Sequence, residues 1–248
     1  MRFDILTLFP EMFSSPFNES IIKRARERGL VTVNVVNIRD YAQDRHMQVD
    51  DYPYGGGAGM VMKPDVLSRA IDAVNQDGCR IIYMSPRGKR LTQSKVAELA
   101  SEEHLVVLCG HYEGIDERVL PRVQEEISIG DYILTGGEIP AMALVDALVR
   151  LIPGALGDDE SSRDESFSEG LLEYPQYTRP PEFEGQEVPD VLLSGHHENI
   201  RLWRKRQSLM RTLLTRPELL LNRQYSDEEK IILTDILFNR ENNKGEKI

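Results

Sequence analysis

The first 150 residues alternate between two hydrophobic patterns. Residues 2–9 are mostly apolar and predict a buried strand, and residues 31–38, which are rich in β-branched side chains, predict a second strand. Residues 64–76 place Val66, Leu67 and Ala70 at the spacing of one helix face. The same patterns predict further helices at 18–28 and 92–102 and further strands at 80–84 and 105–109. Such alternation indicates a mostly parallel sheet covered by helices, an α/β fold.

The alternation changes after residue 125. Residues 127–129 and 132–135 are strand-like, but they are too short and too close together for a strand–helix–strand unit. We expect Gly130 and Asp131 to turn the chain between them. Residues 138–151 carry apolar side chains on one helix face and end before Pro153-Gly154. This helix is predicted to complete a first domain at residues 1–154.

Two segments of different character follow. Residues 155–190 contain eleven acidic and two basic residues and show no periodicity. They predict a flexible interdomain linker, or a lid that becomes ordered on binding. Helical patterns at 196–214, 217–222 and 226–238 predict a small helical domain at residues 191–248.

Composition sets limits on the class of protein. With 248 residues, of which 40% are hydrophobic, the chain can bury one large core, or a large and a small one. Cys79 and Cys109 form no zinc-binding spacing, which predicts a reducing cytoplasm and no structural metal. The N-terminus lacks a secretory signal, and no apolar run approaches the roughly 20 residues of a membrane span. We therefore expect a soluble, cytoplasmic protein without a membrane partner.

Charge is distributed unevenly along the chain. The formal net charge of −11 argues against a nucleic-acid partner, because phosphate binding needs positive charge. Residues 201–216, however, hold six basic residues and no acidic one, and local charge decides such binding. This stretch is either a solvated helix face or a nucleic-acid surface. Its basic residues are Arg201, Arg204, Lys205, Arg206, Arg211 and Arg216.

Glycines stand at the carboxyl ends of three predicted strands: Gly110, Gly130 and the pair Gly136-Gly137. A tight turn explains any one of them, but three at the ligand-binding edge of an α/β sheet predict one shared pocket. No P-loop, dinucleotide fingerprint, Gly-x-Ser-x-Gly or His-Glu-x-x-His motif is present. A nicotinamide cofactor, a serine hydrolase and a zinc protease therefore lack support.

Five longer motifs carry a specific resemblance. They are Tyr54-Gly-Gly-Gly-Ala-Gly-Met60, Cys109-Gly-His-Tyr-Glu-Gly-Ile-Asp-Glu-Arg118, Ser128-Ile-Gly-Asp-Tyr-Ile-Leu-Thr-Gly-Gly-Glu138, Asp164-Glu-Ser-Phe167 and Tyr177-Thr-Arg-Pro-Pro181. With these motifs the chain closely resembles the bacterial tRNA (guanine-N1)-methyltransferases, which modify the guanosine immediately 3′ of the anticodon (tRNA position 37) and help to maintain the reading frame. That family belongs to the SPOUT methyltransferases. The resemblance runs from Phe3 to Arg204.

The resemblance implies a deep trefoil knot in the first domain, one of the rare exceptions to unknotted topology. It also implies S-adenosylmethionine as cofactor and an obligate homodimer whose active site joins the knot of one subunit to the linker and helical domain of the other. Carried over by position, the cofactor-binding residues are Tyr83, Met84, Ser85, Pro86, Gly110, Tyr112, Glu113, Gly114, Ser128, Ile129, Gly130, Tyr132, Leu134, Gly136, Gly137 and Pro140.

The reaction needs a base and a cation. Guanine N1 carries a proton with a pKa of about 9, and negative charge develops on O6 as that proton leaves. Arg150 matches the family arginine expected to face O6, although without the resemblance a surface position at a helix C-terminus explains it better. Where the family has Asp before Ser-Phe, this chain has Glu165, preceded by Asp164. We favour Glu165 as the base and keep Asp164 as the alternative.

The tRNA is expected to contact the basic helix and the glycine loop. The residues implied are Gly55, Gly56, Gly57, Gly59, Met60, Arg201, Arg204 and Lys205. Phosphates provide affinity and a flipped guanine provides specificity. Trp203 is expected in the core of the small domain rather than stacked on a base. His196-His197 lacks further ligands for a metal, and whether Mg²⁺ assists proton loss, as proposed for this family, stays open.

Two other functions fit parts of the sequence. A SPOUT ribose 2′-O-methyltransferase shares the cofactor knot but does not need a carboxylate base for a purine nitrogen, so the motif from Asp164 to Phe167 argues against it. A catalytically silent RNA-binding protein keeps the fold and binds cofactor and tRNA without turnover. Only the Glu165 departure favours that second alternative.

Overall fold

The computed structural model describes residues 1–75, 78–156, 165–221 and 223–238. The chain divides into two compact units, Met1–Asp159 (unit 1) and Glu160–Ile248 (unit 2). Asp164 lies outside the described residues, as does the segment 157–164 of the predicted linker. None of the described helices is long and apolar enough to cross a membrane.

Unit 1 is built on a five-stranded parallel sheet, as predicted. Its strand order is β2-β1-β6-β5-β7, and two further strands, β3 and β4, form a separate antiparallel pair. Every residue of β6 is buried, as expected of a central parallel strand with both faces covered. The strands are β1 (Arg2–Thr7), β2 (Thr32–Asn37), β3 (Asp50–Asp51), β4 (Val61–Met62), β5 (Arg80–Arg90), β6 (His104–Cys109) and β7 (Glu125–Ser128).

Helices cover both faces of this sheet. They are α1 (Ser14–Phe17), α2 (Ser20–Glu27), α3 (Pro64–Val74), α4 (Gln93–Leu99) and α5 (Glu138–Val149), with 3₁₀ turns at Pro10–Phe13, Ile38–Tyr41 and Glu117–Arg122. Along β6, Leu105 and Val107 face α2, α4 and α5, whereas Val106 and Leu108 face α3. The two-residue alternation of a strand thus produces two cores from one apolar run.

Two expectations for unit 1 were wrong. Residues 132–135 form no strand; the chain is irregular there and then approaches the end of β6, where Gly136 forms an isolated bridge with His111. Strand β5 does not end at Met84 but continues to Arg90, with a register shift against β7: both Met84 and Lys89 pair with Ile127. The four residues between them therefore bulge out of the ladder. Within the bulge, a side chain on Gly88 would collide with the backbone of Glu126 and Ile127.

Unit 2 is mainly helical, and its helices occur close to the predicted positions. Leu171, Leu209 and Ile236 form its buried core, with Leu213 and Leu233 packed against them. Its elements are β8 (Glu182–Phe183), β9 (Gln186–Glu187), α6 (Asp190–Leu193), α7 (His197–Thr215), a 3₁₀ turn at Pro217–Leu220, and α8 (Asp227–Phe238).

Candidate functional site

A cavity opens at the carboxyl edge of the parallel sheet in unit 1. The bulged part of β5 and the segments that follow β6 and β7 line it, together with the first turn of α5. All sixteen residues predicted to hold a cofactor lie around this one cavity. The glycine positions read from the sequence therefore converge, as expected for the ligand-binding edge of an α/β sheet.

Two glycines allow the chain to cross itself closely at this cavity. Gly137 donates its backbone N–H to the carbonyl of Gly110 at 2.8 Å. A Cβ atom on Gly137 would lie 2.8 Å from Cα of Cys109 and 2.9 Å from the nitrogen of Gly110. The backbone of Gly137 has an ordinary helical φ of −82°, so conformation does not require glycine there. Lack of space requires it.

Tyr83 forms the inner wall of the cavity. A Cβ atom on Gly110 would lie 2.7 Å from the hydroxyl oxygen of Tyr83, so the tyrosine ring packs directly on the backbone of Gly110. Burial raises the pKa of Tyr83 above its ordinary value of 10.0. The raised pKa further favours the protonated phenol over the phenolate.

Beneath the cavity lies a buried carboxylate that sequence reasoning did not identify as important. Glu138 is 2% exposed and accepts a hydrogen bond from the hydroxyl of Thr7 at 2.8 Å. Burial, and secondarily the charge of Glu138, raises the pKa of the Cys109 thiol well above its ordinary value of 9.0. Cys109 is therefore a neutral packing residue and not a nucleophile at physiological pH.

The rim of the cavity carries an ion pair. The guanidinium of Arg87 contacts Glu117 at 2.6 Å and Glu126 at 3.6 Å. Arg87 is one of seven lining residues that the motifs did not name, although it stands in a short basic cluster with Lys89 and Arg90. The seven are Arg87, His111, Ile115, Glu117, Ile127, Ile133 and Thr135.

The glycine loop predicted to contact the substrate reaches the wall of this cavity at one end. The N–H of Glu113 donates to the carbonyl of Met60 at 3.1 Å, and a side chain on Gly59 would collide with the carboxylate of Glu113. Gly55, Gly56 and Gly57 face open space and have positive φ angles, which glycine adopts readily. The structure thus places Gly59 and Met60 beside the cavity.

Arg150 does not line the cavity. It follows the last residue of α5, and its N–H donates to the carbonyl of Asp146 at 3.2 Å. Pro140, in the first turn of the same helix, does line the cavity. Arg150 is ten positions further along the chain than Pro140, which corresponds to a helical rise of about 15 Å. Within its own chain Arg150 therefore lies apart from the predicted cofactor residues.

Unit 2 has a cavity of its own. Glu165, the predicted base, lies on its wall with the three predicted basic residues Arg201, Arg204 and Lys205. Asp164, the alternative base, lies outside the described residues. The structure thus brings together a carboxylate and three cations that are separated by more than 30 residues in the sequence.

Most of these cations are already paired with carboxylates. Arg201 contacts Glu198 and Glu228, each at 2.7 Å, and the hydrogen bonds to Glu198 and Glu228 raise its pKa. Lys205 contacts Glu169 at 2.9 Å. Arg204 instead lies 4.8 Å from the ring centre of Tyr174 and forms no ion pair within the described part of the chain. Arg204 is therefore the cation of this surface best able to bind a phosphate.

Trp203 does not occupy the core of unit 2, so that expectation was wrong. It is half-buried, its ring centre is 6.3 Å from that of Tyr177, and both rings line a groove with Pro180 and Leu193. Among the described residues there is no cluster of three or more His, Cys, Asp or Glu side chains arranged to hold a metal ion.

Sequence comparisons agree with one another. The family described as "tRNA (Guanine-1)-methyltransferase TrmD" matches residues 1–222. A tRNA (guanine-N(1)-)-methyltransferase from Syntrophomonas wolfei is 67% identical over 98% of this chain and 100% of its own length. The enzyme of that name from Carboxydothermus hydrogenoformans is 58% identical over 94% and 92%, and that from Dictyoglomus turgidum is 53% identical over 95% and 96%.

Proposed function

The chain belongs to the tRNA (guanine-1)-methyltransferase family, and we propose that it transfers a methyl group from S-adenosylmethionine to N1 of the guanosine immediately 3′ of the anticodon, tRNA position 37. The observation that carries this proposal is the convergence of all sixteen expected cofactor residues on one cavity at the sheet edge. No feature of the described residues favours ribose methylation or a silent RNA-binding role.

The cavity suits S-adenosylmethionine. Gly110 and Gly137 leave the backbone accessible where a side chain would collide, and Pro86, Ile129 and Leu134 provide apolar walls. When bound, the cofactor supplies a methyl group activated by a positively charged sulfur. The close crossing of Gly137 over Cys109 also supports the expected knot, because one segment of chain passes against another without intervening side chains.

Glu165 is the proposed base. It receives the N1 proton of guanine, whose pKa of about 9 makes spontaneous loss at neutral pH too infrequent for fast transfer. Glu165 occupies the family position directly before Ser166-Phe167, and its loop is packed onto the helical unit. Asp164 stays the alternative, and the variants Glu165→Ala and Asp164→Ala distinguish them. Equal residual activity in both variants would contradict the assignment.

Arg150 is the proposed cation for the negative charge that develops on O6. Because Arg150 lies apart from the cavity of its own chain, we propose that the protein is a homodimer in which each active site takes residues from both subunits. Exposed apolar side chains of unit 1, namely Tyr132, Ile133 and Ile139, support burial against a second copy.

The tRNA is proposed to contact Gly55, Gly56, Gly57, Gly59 and Met60 and the basic residues of α7. Arg204 provides the principal phosphate contact, because Arg201 and Lys205 must first exchange their carboxylate partners. Since the substrate is tRNA, the proposed location is the cytoplasm.

A transfer assay tests the proposal. Radiolabelled methyl is offered with two tRNA transcripts that differ only at position 37, guanosine in one and adenosine in the other. Label in the guanosine transcript alone supports the proposed target. Label in both would indicate another nucleotide or a ribose, and tRNA binding without any label would favour the silent RNA-binding protein.

A further inference from the structure

The loop that begins at Glu165 is closed by its own hydrogen bonds. The N–H of Phe167 donates to the carbonyl of Leu171 at 2.7 Å, and the N–H of Ser168 donates to the carbonyl of Glu165 at 3.2 Å. The hydroxyl of Ser166 accepts from the N–H of Glu173 at 3.0 Å. Because these bonds link the two ends of the loop, a displacement at residue 172 is transmitted to Glu165.

A buried threonine holds the far end of this loop. The N–H of Leu172 donates to the hydroxyl oxygen of Thr212 at 2.9 Å, and that hydroxyl donates its own proton to the carbonyl of Ser208 at 2.7 Å. Thr212 is fully buried in α7. A hydroxyl directed at the carbonyl four residues earlier is a common helical arrangement, and it leaves the oxygen free to accept.

This contact is chemically specific. Leu171, the residue before the donor, is part of the unit's apolar core, and Leu172 itself is half-buried, so removing the Thr212 acceptor breaks a partly buried hydrogen bond. Arg223 also holds the loop through the carbonyl of Glu169 at 3.1 Å. That contact lies nearer the middle of the loop. Thr212 instead fixes Leu172 at the end of the loop, and the neighbouring Glu173 is hydrogen-bonded to Ser166, the residue after Glu165.

We propose that Thr212 is a positioning residue for methyl transfer: by accepting the N–H of Leu172, its hydroxyl fixes the loop that presents Glu165 to the substrate. The inference rests on the proposed function, in which Glu165 takes the N1 proton. Thr212 itself contacts neither substrate nor cofactor. Its contribution is to keep the carboxylate of Glu165 at a constant place relative to α7.

The test compares two substitutions of the full-length protein with a matched control. Thr212→Val keeps the shape and removes the acceptor, and Thr212→Ser restores it. Thr234→Val is the control, because Thr234 makes the same helical bond, to the carbonyl of Lys230 at 2.8 Å, on an exposed face of α8. We expect Thr212→Val to lower kcat at least about tenfold, with an unchanged Kd for S-adenosylmethionine. The kcat of Thr212→Ser should lie within about threefold of the parental kcat, and the kcat of Thr234→Val should equal the parental value.

The pH profile separates positioning from simple destabilisation. With Glu165 displaced, hydroxide must remove the N1 proton, so kcat of Thr212→Val should rise with pH up to about 9 more steeply than that of the parent. A parental kcat in Thr212→Val, or a loss that Thr212→Ser does not recover, would overturn the inference. Parental protein that methylates no guanine would instead overturn the proposed function.

Hydrogen exchange in the parental protein gives a test that does not depend on the folding of any variant. The amide of Leu172 should be protected to a degree comparable with the interior of α7. Exchange of that amide at the rate of an unstructured peptide would show that the Thr212 contact is not formed, and the inference would be wrong.

Discussion

Alanine at position 137 should weaken cofactor binding through backbone displacement. The added methyl group would lie 2.8–2.9 Å from the main chain of Cys109 and Gly110, where unstrained carbon contacts are about 3.5–4.0 Å. The first turn of α5 must therefore move away from β6 by several tenths of an ångström or more. Such overpacking typically costs about 1–3 kcal/mol. For a domain of this size, the melting temperature should fall by roughly 3–10 °C.

The same displacement moves two walls of the cavity. Gly136 and Pro140 flank the clash and both line the cavity, so we expect Gly137→Ala to raise the Kd for S-adenosylmethionine at least about tenfold. Calorimetric titration and thermal melts measure the two effects. The control is Gly29→Ala, at a position with φ of +72° and no neighbour within 4 Å. It should cost about 1–2 kcal/mol of stability, by conformation alone, and leave the Kd unchanged.

Two results would refute this reasoning. If Gly137→Ala melts and binds like the parent, the close approach at Gly137 does not constrain the chain. If both variants lose affinity in proportion to their loss of stability, the effect is global and has no connection with the cavity walls.

Three further outcomes are expected. Glu165→Gln should lower kcat by about 10²–10⁴-fold with little change in the Kd for tRNA, measured by single-turnover transfer and filter binding; a parental kcat would contradict the role of Glu165 as base. Arg204→Ala should reduce the slope of log Kd for tRNA against log salt concentration by about 1. Arg201→Ala should change this slope less, because Arg201 is already paired with Glu228. Equal slopes in the two variants would contradict this ranking. Because the pKa of Cys109 is raised on folding, the unfolded chain loses the thiol proton first, and the free energy of unfolding should fall as pH rises above 9.0. Denaturant titrations of Cys109→Ser should show a smaller fall. Parallel pH curves for the variant and the parent would contradict the raised pKa.

Much of the fold could be predicted because unit 1 follows simple periodicities. Apolar runs such as 105–109 marked buried strands, and glycines after them marked the sheet edge. Residues 132–135 misled because an apolar segment that lines a cavity looks like a short strand in sequence. The continuation of β5 to Arg90 was not visible either, since the bulge that permits it depends on how Gly88 fits against β7.

The candidate site was less accessible to sequence reasoning where long-range pairing decides the chemistry. Counting charges marked residues 201–216 as basic, but the partners of Arg201 and Lys205 include Glu228 and Glu169, about 27 and 36 residues away. Thr212 gave no signal, because nothing in the sequence distinguishes it from the other polar residues on the buried face of α7, Gln207 and Ser208, until the loop that contacts it is placed. The motifs named sixteen of the residues that line the cavity, whereas only the structure showed that Arg150 lies apart from them.

The crossing at Gly137 also limits which mutations evolution can combine. The three atoms that a Cβ there would approach most closely all belong to the main chain of Cys109 and Gly110, so no second substitution can trim them away. At Gly110 the obstructing atoms belong to the side chain of Tyr83, and a smaller residue at position 83 could accept a larger one at 110. The two glycines therefore differ in evolutionary freedom. Gly110 can covary with residue 83, whereas Gly137 can only be conserved.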